Sequence, residues 1–183
     1  NLIDTQTVVQ NAVPTLVQNA HRTLQRKHNF YIMQTKQSAT TVENTATLVA
    51  IPSDWKEPWQ RPYRTPQYGA AKPLIWGLEK NLTQRYNATD TGCPVALSED
   101  GTNVTIWPLP DGNSDWDDGE YKIIIPYFKY LTAPSNNTDE DWFLKNCAEY
   151  IEFQASADGF AKDWDESHST YWQNRANQKL DEL

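Results

Sequence analysis

The sequence is short of the residues that announce chemistry. It holds two cysteines, one methionine, three histidines and seven glycines in 183 residues. Cys93 and Cys147 stand in no CxxC or Cys/His spacing, so neither a zinc site nor a disulfide framework is signalled, and the sparse usage suits a reducing compartment. Cys147 falls on an apolar helical stripe and reads as a small core residue. No Gly-rich phosphate loop, G-x-S-x-G elbow, H-E-x-x-H pair or H-x-E with P-C-x-x-C occurs. His21, His28 and His168 are isolated on expected helices or helix ends, where a surface or core-edge place is the simple reading. The sequence therefore predicts no catalytic residues, no cofactor and no metal, and the chain is not expected to be an enzyme. Apolar runs are short, Ile123–Ile125 being typical, so no membrane span is expected. Nothing at the start reads as a secretion signal.

Positive charge is scarce as well. Sixteen Lys and Arg stand against 24 Asp and Glu, giving a net charge of −8 and a pI near 4.8. A duplex-binding surface draws its phosphate affinity from Lys and Arg, and this balance argues against one. The charge is also uneven: residues 1–98 carry a net +4, residues 99–166 a net −12, and residues 167–183 balance. Either a solvated acidic face or a basic end of one copy meeting an acidic end of its neighbour would account for this. Aromatic residues, by contrast, are plentiful. Eight Trp and nine Tyr suggest interfaces, ligand platforms or both.

Val13, Leu16, Val17, Ala20 and Leu24 recur at helical spacing, which predicts a helix from Pro14 to Lys27, with residues 4–12 a separate turn or arm. Phe30–Thr35 and Thr45–Ile51 read as strands joined by a polar connection, Lys36–Asn44. Pro52–Tyr68 carries prolines at 52, 58, 62 and 66 beside Trp55, Trp59, Tyr63 and Tyr68. That density excludes the inside of a ladder and predicts an ordered loop or edge. A short helix is expected over Leu78–Tyr86. Val104–Leu109 and Tyr121–Tyr130 look like a strand pair joined by the acidic turn Pro110–Glu120. A helix starting near a capping box of Thr138 and Asp141 carries Phe143, Cys147, Tyr150, Ile151 and Ala155 on one face and stops near Gly159. Trp164, His168, Tyr171, Trp172, Ala176 and Leu180 share a face of a last helix, antiparallel to it.

The acidic turn offers oxygens at Asp111, Asn113, Asp115, Asp117, Asp118 and Glu120. A calcium loop starting at Asp111 would need Gly at its sixth position and Glu at its twelfth, and the chain has Trp116 and Lys122 there. A solvated hairpin tip is the expectation. Four Asn-x-Thr sequons, at Asn81, Asn87, Asn103 and Asn136, arise by chance in a chain this rich in Asn and Thr.

Taken in order, several local signatures resemble the head-to-tail adaptor, or neck connector, proteins of tailed bacteriophages. They begin with Val-Pro-x-Leu-Val-x-x-Ala-x-x-x-Leu over Val13–Leu24 and Ile51-Pro52-Ser53-Asp54-Trp55. Lys72-Pro73-Leu74, Thr91-Gly92-Cys93-Pro94 and the strand Val104–Leu109 running into Pro110-Asp111 follow. Ile124-Ile125-Pro126-Tyr127-Phe128, the helix Thr138–Ala155 and a closing Trp-x-x-Arg helix, Trp172 to Leu183 with Arg175 in place, complete the set. Cys147, Tyr150 and Phe153 depart from the aliphatic and small residues usual there, and the Pro110–Glu120 insertion is longer and more acidic.

The resemblance implies an α+β fold in which a helical bundle, the N-terminal helix plus a C-terminal helical hairpin, carries an inserted antiparallel β-sheet lobe. The chain is expected to be a single adaptor domain, with its helical core at about 5–29 and 138–183 and the β-rich insertion at about 30–137. It further implies a structural virion protein of the neck, assembled in the host cytoplasm, that forms a ring, dodecameric in the family, below the portal protein. That ring would extend the DNA channel and dock a tail, nozzle or gatekeeper protein, with DNA passing without specific binding and no membrane contact. Interface residues are expected at Trp55, Trp59, Tyr63, Tyr68 and Trp116 in the loops, and at Arg175, Leu180 and Leu183 in the last helix. The alternative is a calcium- or carbohydrate-binding module that uses the acidic loop and exposed aromatics.

Overall fold

A computed structural model describes residues 5–87, 89–113, 120–135 and 138–183, with side chains from Ala12 on. Its mixed α+β chain falls into two units, one drawn from Asn1–Ile32 and Leu131–Leu183, the other spanning Met33–Tyr130.

The first unit is helical. Helix α1, Thr5–Lys27, is one continuous element, not a turn followed by a helix from Pro14. Pro14 removes only the N–H that would reach the carbonyl of Gln10. Burial of Ala20, His21, Leu24 and Gln25 along one face sustains the rest, as packing usually does for helices. The expected single helix after Thr138 is broken in two. Asp141 caps α3 (Trp142–Asn146) by accepting from the Leu144 N–H at 2.8 Å, and the chain turns at Cys147 before α4 (Ala148–Lys162). Gly159 does not stop α4. It lies inside the helix, facing Leu16 of α1, where a Cβ would make ordinary van der Waals contact with Leu16 Cδ1 at 3.5 Å. The helix ends at Asp163 and Trp164. The Trp164 N–H donates to the Ala161 carbonyl and the Asp165 N–H to the Phe160 carbonyl, with Trp164 at φ 61°. This is a Schellman stop with tryptophan in the left-handed position that normally takes glycine. Helix α5, Glu166–Asp181, starts on Asp165, whose carboxylate accepts from the His168 N–H.

Polar groups hold this unit's interior. His21 is wholly buried, not at the surface or the core edge, and its Nε2 lies 2.6 Å from Asp141 Oδ2. The Gln25 amide clasps the Leu131 peptide group, accepting from its N–H at 2.6 Å and donating to its carbonyl at 3.0 Å. Its other N–H meets His21 Nδ1 at 2.9 Å. Nδ1 is therefore the acceptor, and Nε2 carries the hydrogen donated to Asp141. Between α4 and α5, Gln154 bonds reciprocally to Gln173 and also reaches Asp158 and Tyr150.

The second unit contains two sheets. Its strands are β1 (Gln34–Thr40), β2 (Thr47–Ala50), β3 (Trp55–Pro58), β4 (Tyr63–Thr65), β5 (Lys72–Pro73), β6 (Ile75–Trp76), β7 (Ala96–Glu99), β8 (Asn103–Trp107) and β9 (Lys122–Lys129), with helix α2 (Glu79–Arg85) between β6 and β7. One sheet runs β1-β9-β4-β5, with β3 also on β9, and is antiparallel; the other runs β2-β8-β7-β6, with β6 parallel to β7. The expected pairing of Val104–Leu109 with Tyr121–Tyr130 does not form, because β8 and β9 lie in different sheets. Their inward residues meet instead. Val104 and Ile106 of β8 join Ile123 and Ile125 of β9, with Leu74 and Leu97, in one buried cluster. Each such side chain contributes about 1.5–3 kcal/mol on burial.

Two further expectations shift for the same reason, that a partner strand overrides local composition. Tyr31–Met33 forms a 3₁₀ turn where a strand was read, and the polar stretch read as a connection is β1, registered along β9 from Gln34↔Phe128 to Thr40↔Lys122. The proline-rich segment supplies β3 and β4, which lie end to end along β9. Pro126 shows how β9 tolerates a central proline. Its carbonyl accepts from the Trp59 N–H at 3.3 Å. An antiparallel residue points its N–H and carbonyl the same way, so the missing donor faces the gap between Pro58 and Tyr63.

Candidate functional site

The aromatic residues of the proline-rich segment have different surroundings. Trp55 is half-buried, stacked on Tyr127 at 4.6 Å and on Trp76 at 5.9 Å, and it packs against the sandwich core. Tyr127 in turn donates to Asp54 at 3.2 Å, and burial together with Asp54 raises its pKa. Trp59 is half-buried, and its Nε1–H donates to the Thr35 carbonyl at 3.3 Å. Lys36 Nζ lies 6.0 Å from the Tyr63 ring centre. Tyr68 alone of the four is freely exposed, at 82 %, on the β4–β5 connection beside Gly69 at φ 98°.

At the acidic turn, Asp111 is committed to structure. It accepts from the Tyr121 hydroxyl at 2.8 Å and from the Asn113 N–H at 3.1 Å, and Tyr121 also donates to the Asn113 carbonyl. Burial would raise the Asp111 pKa, but these bonds outweigh it and hold the carboxyl low, while burial and Asp111 push Tyr121 up. Arg64, buried, stacks 5.1 Å from the Tyr121 ring and donates through Nη1 to Cys93 Sγ. Trp116 and the carboxylates at 115, 117 and 118 lie outside the described residues. Among the described residues, no group of three or more His, Cys, Asp or Glu could hold a metal ion.

The last helix presents a basic and aromatic face. The Arg175 guanidinium lies 5.0 Å from the Phe153 ring and 6.0 Å from Tyr171, and Nη1 donates to the Tyr171 hydroxyl at 3.1 Å. Trp172 packs on Phe153 at 5.5 Å. Lys179 bridges Glu149 at 2.8 Å and Glu182 at 2.9 Å; these bonds raise the Lys179 pKa and lower that of Glu149. Leu180 is half-buried and Leu183 exposed.

Neither His21 nor Cys147 is poised for chemistry. A general base needs a free nitrogen within reach of substrate, and both ring nitrogens of His21 are engaged inside the core. Burial first, then Asp141, pushes the Cys147 thiol up to about 11, away from a reactive thiolate. Among the described residues, no helix is long and apolar enough to cross a membrane. Among the side chains offered to solvent are Tyr68, Trp164, Tyr171 and Arg175.

The chain belongs to the SU10 adaptor protein family, whose model matches residues 1–183, and is thus a phage head-to-tail adaptor by family. No curated protein matches it in sequence.

Sequence patterning missed Trp164 as a surface residue. The last helix was expected to carry it on its packed face, yet it precedes α5 and is 89 % exposed. The signal was present: Asp165 followed by Glu166 and His168 is an N-cap pattern, which puts Trp164 outside the helix.

Proposed function

We propose that the chain acts as one adaptor domain that assembles into a ring, twelvefold as in the family it resembles, beneath the portal of a filled head, extends the DNA channel and docks the next tail component. The observation that carries this is the family match along the whole chain. A ring needs heterologous contacts that close, and the opposed charges of residues 1–98 and 99–166 supply complementary surfaces. A ring of chains at −8 each would repel DNA phosphate, so the genome slides through without sticking. Tyr68 at its exposed loop tip, Arg175 on the last helix and Leu183 just beyond that helix are the contacts proposed toward the tail component and the portal. Trp55, Trp59 and Tyr63 act by shaping the surface that carries Tyr68.

Truncating the chain at Gln173 would be a poor test. It removes Ala176, fully buried, and the Gln173–Gln154 bonds, and so damages the helical unit itself. Arg175→Glu and Leu183→Asp leave that packing in place. Both should cut co-sedimentation of the chain with portal-bearing heads by about tenfold or more. Undiminished binding by both variants would remove the last helix from the portal contact.

A further inference from the structure

The helical unit has two ends of opposite character. Helices α1 and α4 run antiparallel, since Val13, Leu16 and Val17 lie against Gly159, Phe160 and Asp163 while His21 bonds Asp141. At one end sits the α4–α5 turn, with Asp163, Trp164 and Glu166 all exposed. At the other, roughly 20 Å along α1 at 1.5 Å per residue, Arg22, Arg26 and Lys27 are exposed. From Thr5 to Lys27 there is no acidic residue to offset them. None of these five charged side chains has an ion-pair partner among the described residues. Phe30 and Tyr31 follow directly on the basic end and pack on Trp142, at 5.5 and 5.6 Å, with Tyr31 67 % exposed.

Trp164 is the residue that needs explaining. A bulky side chain at positive φ is an outlier that glycine would relieve, and here its 89 % exposure returns no packing in compensation. Strain kept at an exposed indole is intelligible if the indole is buried in an assembly.

We propose that Trp164, flanked by Asp163 and Glu166, is the anchor of a contact between copies and docks on the basic, aromatic end of the next chain, at Arg22, Arg26, Lys27 and Tyr31. The two patches differ and lie at opposite ends of one unit, so the contact is heterologous and propagates head to tail. Charge complementarity selects the receiving surface. The apolar groove of about 540 Å³ between α1 and α4 is rimmed by Glu152 and Asp163 and would repel the acidic flanks of an incoming Trp164. The inference rests on the adaptor reading only for closure of the chain of contacts into a ring.

The test uses the full-length chain, followed by sedimentation velocity alone and by binding to portal-bearing heads. Trp164→Gly should weaken self-association by about tenfold or more while the melting temperature holds or rises, since glycine suits the backbone. The charge exchanges Asp163→Lys with Glu166→Lys, and Arg22→Glu with Arg26→Glu, should each disrupt assembly, and a chain carrying all four should recover it. Assembly unaffected by Trp164→Gly, or no recovery in the fourfold variant, overturns the proposal. So does a wild-type chain that associates with itself in neither setting. Self-association without binding to heads sinks the adaptor reading and leaves this contact standing.

Discussion

The helical and β units differ most in what fills their centres. In the β unit Trp55, Trp76 and Tyr127 stack together and Trp107 is buried with its indole N–H donating to Ser98 at 3.2 Å, while Tyr68 stays exposed. Its centre is otherwise aliphatic, built from inward residues of two sheets. In the helical unit the interior holds His21, Gln25 and Gln154, while Trp164, Tyr31 and Tyr171 face solvent. An aliphatic sandwich is non-directional and degrades in proportion to volume removed, whereas a hydrogen-bonded interior fails when one partner is lost. Both units leave apolar side chains at the surface for contact, Tyr68 and Leu78 in the β unit and Tyr31 and Trp164 in the helical one.

The largest effect that would sharpen this contrast belongs to the β unit. Ile123→Ala should cost about 3 kcal/mol in denaturant unfolding, because Ile123 is fully buried where the sheets meet. A loss under about 1 kcal/mol would mean the two sheets do not share a tight core.

Next comes Gln25→Leu, which keeps volume but strands His21 Nδ1 and both groups of the Leu131 peptide. A loss of about 2 kcal/mol is expected, with faster hydrogen exchange at Leu131. Unchanged exchange there would break the claim that polar bonds hold this interior. Trp164→Gly should move the other way, gaining about 1 kcal/mol from relief of the left-handed backbone. Destabilisation would show that Trp164 packs in the isolated chain.

The smallest effect is on the acid side. Bonds from the His168 N–H and ring hold the Asp165 carboxyl below its ordinary 3.8. The folded state therefore binds fewer protons than the unfolded one around that value. The stabilisation is present above 3.8 and lost as pH falls through the lower folded pKa. Asp165→Asn keeps a capping side chain and should flatten the drop in melting temperature below about pH 4. Parallel curves for the two proteins would contradict it.

How much of this was legible in advance follows from the range of the forces. The α+β class, the helix faces of Ala20 and Leu24, and the core place of Cys147 follow from periodicity, a local property. The β8–β9 mispairing, the strand in polar Gln34–Thr40 and the placement of Pro126 depend on which distant strand lies alongside, which local composition does not encode. Pro14 lies inside α1 and Gly159 inside α4, so neither marks the boundary that its residue type usually does. Among the candidate contacts, Tyr68, Arg175 and Leu183 are at the surface as exposed aromatic, basic and terminal residues would suggest. The buried stack on Trp55 and the exposed turn at Trp164 required the fold.

The most direct measurement is electron microscopy of the purified chain bound to portal-bearing heads. The account predicts a closed ring of this chain stacked coaxially under the portal, with the α4–α5 turn of each copy against the α1 end of the next. Single copies scattered on the head surface, or no bound density at all, would contradict it.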